Sequence, residues 1–250
     1  MSNLKKNKKL GQNFLKNKNF LKLIANKLNI KPNDIIVEIG GGHGELTQFL
    51  INAKRVFVFE IDKKLYKILK QKFQNYKNIK IINRNFLKAN LSVFKNNFKL
   101  VGNIPYSITG LIFRKIFNIK NHPQLFILTL QKDVGEKILA KNNFLSHWIN
   151  IWGKVNKISI IKRNYFYPQP KVDSMILEIK FFNKPLVNYP EKFVKFLKNI
   201  FKFPNKKLKN NINLPENFKH LENYRPYQLS FDDILNLYNF YLQRGYNIKT

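Results

Sequence analysis

Short apolar runs separated by amphipathic stretches dominate the first half of this 250-residue chain. The runs are continuous rather than alternating, which is typical of strands in a parallel sheet whose two faces are both covered. They are Ile35–Ile39, Val56–Glu60, Ile79–Ile82, Phe98–Val101 and Leu125–Leu130. The stretches between them show helical spacing, as in Leu46, Phe49 and Leu50. Strands that alternate with helices predict a doubly wound α/β fold.

Further periodic segments set the predicted extent of this sheet. A helix over 17–29 precedes the first run, and Val155–Ile161 and Met175–Phe181 predict two later strands. We therefore expect seven mostly parallel strands within residues 33–181, with helices on both faces.

The pattern becomes purely helical after Phe182. Pro190 stands where a helix would begin, and Ser230 with Asp233 resembles a capping box that opens a last helix. The predicted domains are therefore 1–182, of which 1–16 form a basic segment, and a small helical domain over 183–250.

The charge of the chain favours a polyanionic partner. Its net charge is +32 and its pI is about 10.2, and Lys and Arg bind phosphates with release of counterions. The alternative is compositional drift, because nearly all basic residues are Lys, as AT-rich codons would produce.

The absence of Cys excludes disulfides and a thiol nucleophile, and we expect no metal. With no apolar run near the ~18 residues of a membrane span and no signal sequence, we expect a cytoplasmic protein without a membrane partner.

A glycine-rich segment follows the first strand. Residues 37–47 read Val-Glu-Ile-Gly-Gly-Gly-His-Gly-Glu-Leu-Thr, which predicts a tight turn that enters a helix and approaches a ligand. Glu60 ends the next strand about twenty residues later, where a carboxylate would hold ribose hydroxyls. Asp62 is expected to cap the following helix. A nicotinamide dinucleotide would fit the same features, so the next motif decides between cofactors.

The fourth strand ends in a tetrad, Asn103-Ile104-Pro105-Tyr106, that is typical of enzymes that methylate amino nitrogens on bases. The lone pair of adenine N6 is delocalised into the ring, so this amine is a poor nucleophile. The Asn103 side-chain oxygen and the Ile104 carbonyl would accept both amine hydrogens, and Pro105 would fix the backbone. Tyr106 would offer a face to a base that has left its stack. These residues predict an S-adenosylmethionine-dependent N6 methyltransferase.

Five segments together resemble the ribosomal RNA adenine dimethyltransferase family over nearly the whole chain. They are Leu10–Leu15 (Leu-Gly-Gln-Asn-Phe-Leu), the loop at 38–47, the tetrad, Gln131–Val134 (Gln-Lys-Asp-Val) and Phe166–Ser174 (Phe-Tyr-Pro-Gln-Pro-Lys-Val-Asp-Ser). The resemblance implies a monomeric, Rossmann-like class I methyltransferase with a C-terminal RNA-binding domain. It also implies S-adenosyl-L-methionine as cofactor and dimethylation of two adjacent adenines near the 3′ end of small-subunit rRNA. The implied partner is a ribosomal small-subunit assembly intermediate.

The resemblance also assigns residues. The implied cofactor-binding residues are Asn13, Leu15, Gly40, Glu60, Asn85 and Asn103. Asn13 and Leu15 would close over the cofactor, and Phe166 would face the target base opposite Tyr106. A basic stretch, Lys206, Lys207 and Lys209, would contact rRNA phosphates.

One position departs from the family pattern. Where the family has an Asp that receives the cofactor's adenine amino group, this chain has Asn85, which keeps an acceptor oxygen without the charge.

Two alternatives stay open. One is the related family that methylates large-subunit rRNA and confers macrolide resistance, which shares the tetrad and the Pro-rich motif. The other is a non-catalytic ribosome-assembly factor on the same fold.

Overall fold

The computed structural model describes residues 12–94, 98–104, 108–119 and 121–244. The strands are β1 (Phe14–Leu15), β2 (Ile35–Ile39), β3 (Arg55–Glu60), β4 (Ile79–Asn83), β5 (Lys99–Asn103), β6 (Leu125–Gln131), β7 (Gly153–Ile161), β8 (Phe166–Tyr167) and β9 (Ser174–Phe181). The α-helices are α1 (Lys18–Leu28), α2 (Lys63–Lys72), α3 (Thr109–Phe117), α4 (Lys132–Leu139), α5 (Phe144–Asn150), α6 (Pro190–Ile200) and α7 (Phe231–Gln243). None of these helices is long and apolar enough to cross a membrane.

Seven strands form one sheet in the order β4-β3-β2-β5-β6-β9-β7, which confirms the predicted mostly parallel sheet. The pairs β2–β3, β2–β5, β3–β4 and β5–β6 are parallel, and β6–β9 is antiparallel. The chain leaves β2 toward β4 on one side and then returns to β5 on the other. The carboxyl ends of β2 and β5 therefore lie at the topological switch point, where open α/β sheets bind ligands.

The main core covers one face of this sheet. Helix α1 begins at its cap Asn17 and buries Leu21, Ile24 and Leu28 in a cluster with apolar residues of the sheet. Burial of each such side chain contributes about 1.5–3 kcal/mol. The amphipathic pattern of 17–29 thus forms the predicted helix, which packs its apolar face on the sheet.

The prediction of a helix directly after the glycine-rich loop is wrong. The segment Thr47–Phe49 forms a single 3₁₀ turn instead. Its bonds run from Phe49 N to Leu46 O and from Leu50 N to Thr47 O, at 2.9 Å each. Leu46, Thr47 and Leu50 are all buried. The spacing of these buried residues is therefore the same as in a helix, although only one turn forms.

A second, two-stranded sheet joins β1 to β8 in antiparallel register. Leu15 lies opposite Phe166, and both side chains are buried in the main core. The first motif of the chain and the Pro-rich motif, which are about 150 residues apart, thereby form one ribbon.

The chain divides by packing into two compact units, Met1–Gly135 with Asn156–Phe181, and Glu136–Val155 with Phe182–Thr250. The second unit therefore takes in 136–155 in addition to the segment that follows 181. Within it, the rings of Phe144 and Phe201 lie 6.4 Å apart, which joins α5 to the end of α6. That the domain over 183–250 binds RNA stays a prediction.

Candidate active site

The glycine-rich loop leaves β2 with backbone angles that favour glycine. Gly40 has φ +74° and Gly42 has φ +56°, in the left-handed region that L side chains rarely adopt. A Cβ at Gly40 would meet nothing within 4 Å, so open space lies against the backbone at the end of the central strand. This loop leaves room for a ligand to approach the main chain closely.

Glu60 ends β3 beside this loop with its carboxylate held by backbone amides. Gly42 N donates to Oε2 and Asp62 N donates to Oε1, at 2.9 Å each. The side chain is only 4% exposed, and burial raises its pKa, while the two backbone hydrogen bonds oppose the rise. A carboxylate has about four lone-pair sites, so each oxygen keeps acceptor capacity for a hydroxyl.

A second buried acid, Glu38, precedes the glycines of the loop, and the sequence pattern alone predicts no role for it. It lies within β2, and the Thr47 hydroxyl donates to its Oε2 at 2.7 Å. Burial raises the pKa of Glu38 to about 8, so its carboxyl is mainly protonated at neutral pH. An acid inside an otherwise apolar strand was the available signal. The hydrogen bond from Thr47 to Glu38 joins the segment after the glycine-rich loop to the central strand.

Asn103 ends β5 next to β2 and contacts the start of the chain. Its amide nitrogen, Nδ2, donates to the Asn13 carbonyl oxygen at 2.7 Å. Because the nitrogen faces this carbonyl, the orientation of the amide is set and its oxygen is kept as an acceptor. Asn13 and Asn103, predicted for the same site, are thus brought together from 90 residues apart.

The rest of the tetrad is only partly described. Ile104 is 1% exposed, and its N–H donates to the Thr129 carbonyl at 2.9 Å, which extends the pairing of β5 with β6. Pro105 and Tyr106 lie outside the described residues, as do Leu10 and Gly11 of the first motif. The roles given to Pro105 and Tyr106 stay predictions.

Leu15 and Phe166 are each 4% exposed and lie on the core side of the β1–β8 ribbon. A contact between Leu15 and a ligand would therefore involve its backbone, and this contact stays a prediction. The Phe166 ring is packed within the core and is not exposed. Its stacking on a base stays a prediction.

Asn85 lies two residues after the end of β4 and caps a 3₁₀ turn over Phe86–Lys88. Its Oδ1 accepts from Leu87 N at 2.9 Å. One lone pair of this oxygen is thereby used, and a second is kept for another donor. The position is half-buried and lies at the same sheet edge as Glu60.

The carboxyl ends of β2, β3, β4 and β5 thus carry a loop, a carboxylate and two amides along one edge. The antiparallel β9 between β6 and β7 departs from the fully parallel dinucleotide-binding order. These features define a Rossmann-like class I methyltransferase fold.

The chain belongs to the ribosomal RNA adenine dimethylase family, whose family model matches residues 3–241. A ribosomal RNA small subunit methyltransferase A from Thermotoga neapolitana is 37% identical over 243 residues, which cover 94% of this chain and 91% of the relative. A relative of the same description from Aster yellows witches'-broom phytoplasma is 40% identical over 82% of this chain and 80% of its own.

Solved structures agree with this membership. A dimethyladenosine transferase from Plasmodium falciparum superposes with a TM-score of 0.82 at 25% identity, covering 93% of this chain and 98% of its own. The 23S rRNA methyltransferase ErmE gives a TM-score of 0.76 at 22% identity, over 90% of this chain and 98% of its own. At that identity the second match shows the fold alone.

Proposed function

We propose that the chain transfers methyl groups to N6 of two adjacent adenines near the 3′ end of small-subunit rRNA. The observation that carries the proposal is the Asn103 amide, held by the Asn13 carbonyl at the switch point of the sheet. Family membership supports the reaction class. The relatives at 37% and 40% identity are described as small-subunit enzymes, which favours the small-subunit substrate over the large-subunit alternative.

The residues present fit S-adenosyl-L-methionine, the cofactor that the family implies. Open space beside Gly40 would admit a ligand to the backbone, and Glu60 keeps acceptor sites suited to two ribose hydroxyls. Asn85 would accept from an adenine amino group at the same edge. When bound, the cofactor supplies an electrophilic methyl group on a sulfonium.

Asn103 prepares the amine in this mechanism. Its oxygen, oriented by the bond that its nitrogen makes, accepts one N6 hydrogen and draws the nitrogen toward a tetrahedral geometry. The Ile104 carbonyl accepts the other hydrogen, and Tyr106 stacks on the adenine. With both hydrogens held by Asn103 and Ile104, the amine lone pair would point toward the methyl group that the cofactor supplies, and no side chain would have to remove a proton beforehand. A preorganised acceptor of this kind acts mainly on the transition state.

The wider assignment concerns the partner and the location of the protein. We propose that the protein acts as a monomer in the cytoplasm, on an assembly intermediate of the small subunit. Lys206, Lys207 and Lys209 in the C-terminal unit would contact rRNA phosphates. Lys207 Nζ also donates to Asn223 Oδ1 at 3.1 Å, so this lysine is already oriented by its neighbour.

Replacement of Asn103 by alanine tests the proposal. We expect the single-turnover rate of adenine methylation to fall by about 10²-fold or more at saturating cofactor, because one preorganised acceptor is lost. Cofactor affinity should fall only in part. The assay uses unmethylated small-subunit particles, with large-subunit rRNA as the competing substrate and methylated adenines identified by mass spectrometry.

Asn19→Ala, which alters an exposed asparagine on α1, is the matched control and should methylate at the wild-type rate. A near-normal rate for Asn103→Ala would remove Asn103 from the catalytic residues. Methylation of the large-subunit RNA alone would replace the proposed substrate.

A further inference from the structure

The β1–β8 ribbon has two different faces. Residues directly opposite each other in an antiparallel pair project to the same side, and neighbours along a strand project to opposite sides. Leu15 and Phe166 are paired and buried in the core. The other pair, Phe14 and Tyr167, therefore projects away from the core.

This outer face lies beside the glycine-rich loop and the tetrad. The Phe14 ring packs edge-on against His43 of the loop, with the ring centroids 4.8 Å apart. The residue before it, Asn13, accepts the hydrogen bond from Asn103. One residue along β1 and one cross-strand step separate Asn13 from Tyr167, so their Cα atoms are no more than about 9 Å apart.

Tyr167 is the exposed member of this face. Its exposure is 59%, against 4% for Phe166, the neighbour that the sequence favoured as the base-facing ring. Tyr165 packs its ring against Phe20 at 5.5 Å, whereas no ring contact to Tyr167 occurs in the described part of the chain. An exposed aromatic ring thus lies on the ribbon that follows Asn13, the hydrogen-bond partner of Asn103.

We propose that Tyr167 is a substrate-positioning residue whose ring stacks on an unpaired RNA base next to the adenine being methylated. The inference rests on the proposed function and adds a contact to it. RNA bases outside a helix stack on aromatic rings whatever their identity, and the strongly positive chain attracts the strand that carries them. With two adjacent target adenines, this stacked base is the second adenine while the first is in the site.

The test uses Tyr167→Ala and Tyr167→Phe in the full chain. An RNA fragment of the target region carries the fluorescent base 2-aminopurine beside the target adenine, and stacking quenches its emission. We expect quenching with wild type and Tyr167→Phe, and its loss with Tyr167→Ala. The KM for unmethylated small-subunit particles should rise about ten-fold in Tyr167→Ala only, since stacking on one base is worth about that factor or more.

Tyr76→Ala is the matched control, because Tyr76 is a 40% exposed tyrosine just beyond α2. It should leave quenching, KM and cofactor affinity unchanged. Unchanged quenching and KM in Tyr167→Ala would overturn the inference. Weaker S-adenosylmethionine binding with unchanged RNA parameters would overturn it too, since the ring would then cover the cofactor.

The two proposals fail in different ways. Failure of the inference leaves methylation by the wild type intact. Quenching that depends on Tyr167, without methylation of adenine by the wild type, would sustain the RNA contact and refute the proposed function.

Discussion

The departure from the family pattern at Asn85 allows a direct test of the cofactor site. We expect Asn85→Asp to tighten S-adenosylmethionine by up to about tenfold, because a charged acceptor makes a stronger hydrogen bond than a neutral one. The carboxylate would still accept from Leu87 N, so the turn it caps should persist. Isothermal titration calorimetry of the cofactor into both proteins measures the difference.

Asn85→Ala tests whether Asn85 binds the cofactor or only caps the turn that follows it. Asn90 makes the same kind of bond, accepting from Ser92 N at 3.0 Å, so Asn90→Ala controls for the loss of such a cap. If Asn85→Ala binds the cofactor as well as wild type, Asn85 has no part in the cofactor site. If both alanine variants weaken binding equally, the effect belongs to the turns and not to the oxygen of Asn85.

Helix α5 carries a buried histidine. The His147 side chain is fully buried, and neither ring nitrogen has a hydrogen-bond partner among the described residues. Its ring stacks on Phe231 with the centroids 6.0 Å apart. Burial lowers the pKa of His147 to about 4, because a charged imidazole would lose its hydration without a compensating partner.

The second unit should therefore lose stability in mild acid. In the unfolded chain His147 binds a proton near its ordinary pKa of about 6.5, while in the folded chain it stays neutral until about pH 4. Stability thus falls as pH drops from about 6.5 to 4, by up to ~3 kcal/mol, and this contribution is constant below that range. Both tryptophans of the chain, Trp148 and Trp152, belong to this unit, so urea unfolding followed by tryptophan fluorescence reports on it.

His147→Phe isolates this contribution from that of other titrating groups. Its stability difference from wild type should shift in favour of the variant as pH falls through the same range. A difference that does not change with pH would show that His147 is protonated to the same extent in both states.

For the whole molecule, the charge of +32 should make RNA binding strongly dependent on salt. If six or seven lysines contact phosphates, affinity should fall about 10³-fold between 50 and 200 mM salt. Filter binding of the target RNA over this range measures the slope of log affinity against log salt. A shallow slope would assign the lysine excess to codon composition instead of function.

Triple replacement of Lys206, Lys207 and Lys209 by Gln should reduce the slope if these residues contact phosphates.

Much of the architecture follows from local sequence. The apolar runs gave five of the strands to within two residues, because a strand covered on both faces needs an unbroken apolar segment. The caps at Asp62 and Ser230 are as expected, since each uses atoms only two or three residues apart. Glu60 ends β3 as predicted, because the bounds of that strand are set by a local apolar run, whereas its contact with a ribose stays a prediction.

Tertiary structure decided what depends on distant pairing. The bond between Asn13 and Asn103 joins residues 90 positions apart, and the glycine-rich loop leads into a single 3₁₀ turn despite helical spacing. Phe166 and Tyr167 are adjacent aromatic residues, yet Phe166 is buried and Tyr167 is exposed. The sheet and the chemical types of the residues at its edge follow from the amino-acid sequence alone, because periodicity and capping are local. Which side chains face the site was decided by the register of β1 on β8, since a shift of one residue would exchange the two faces.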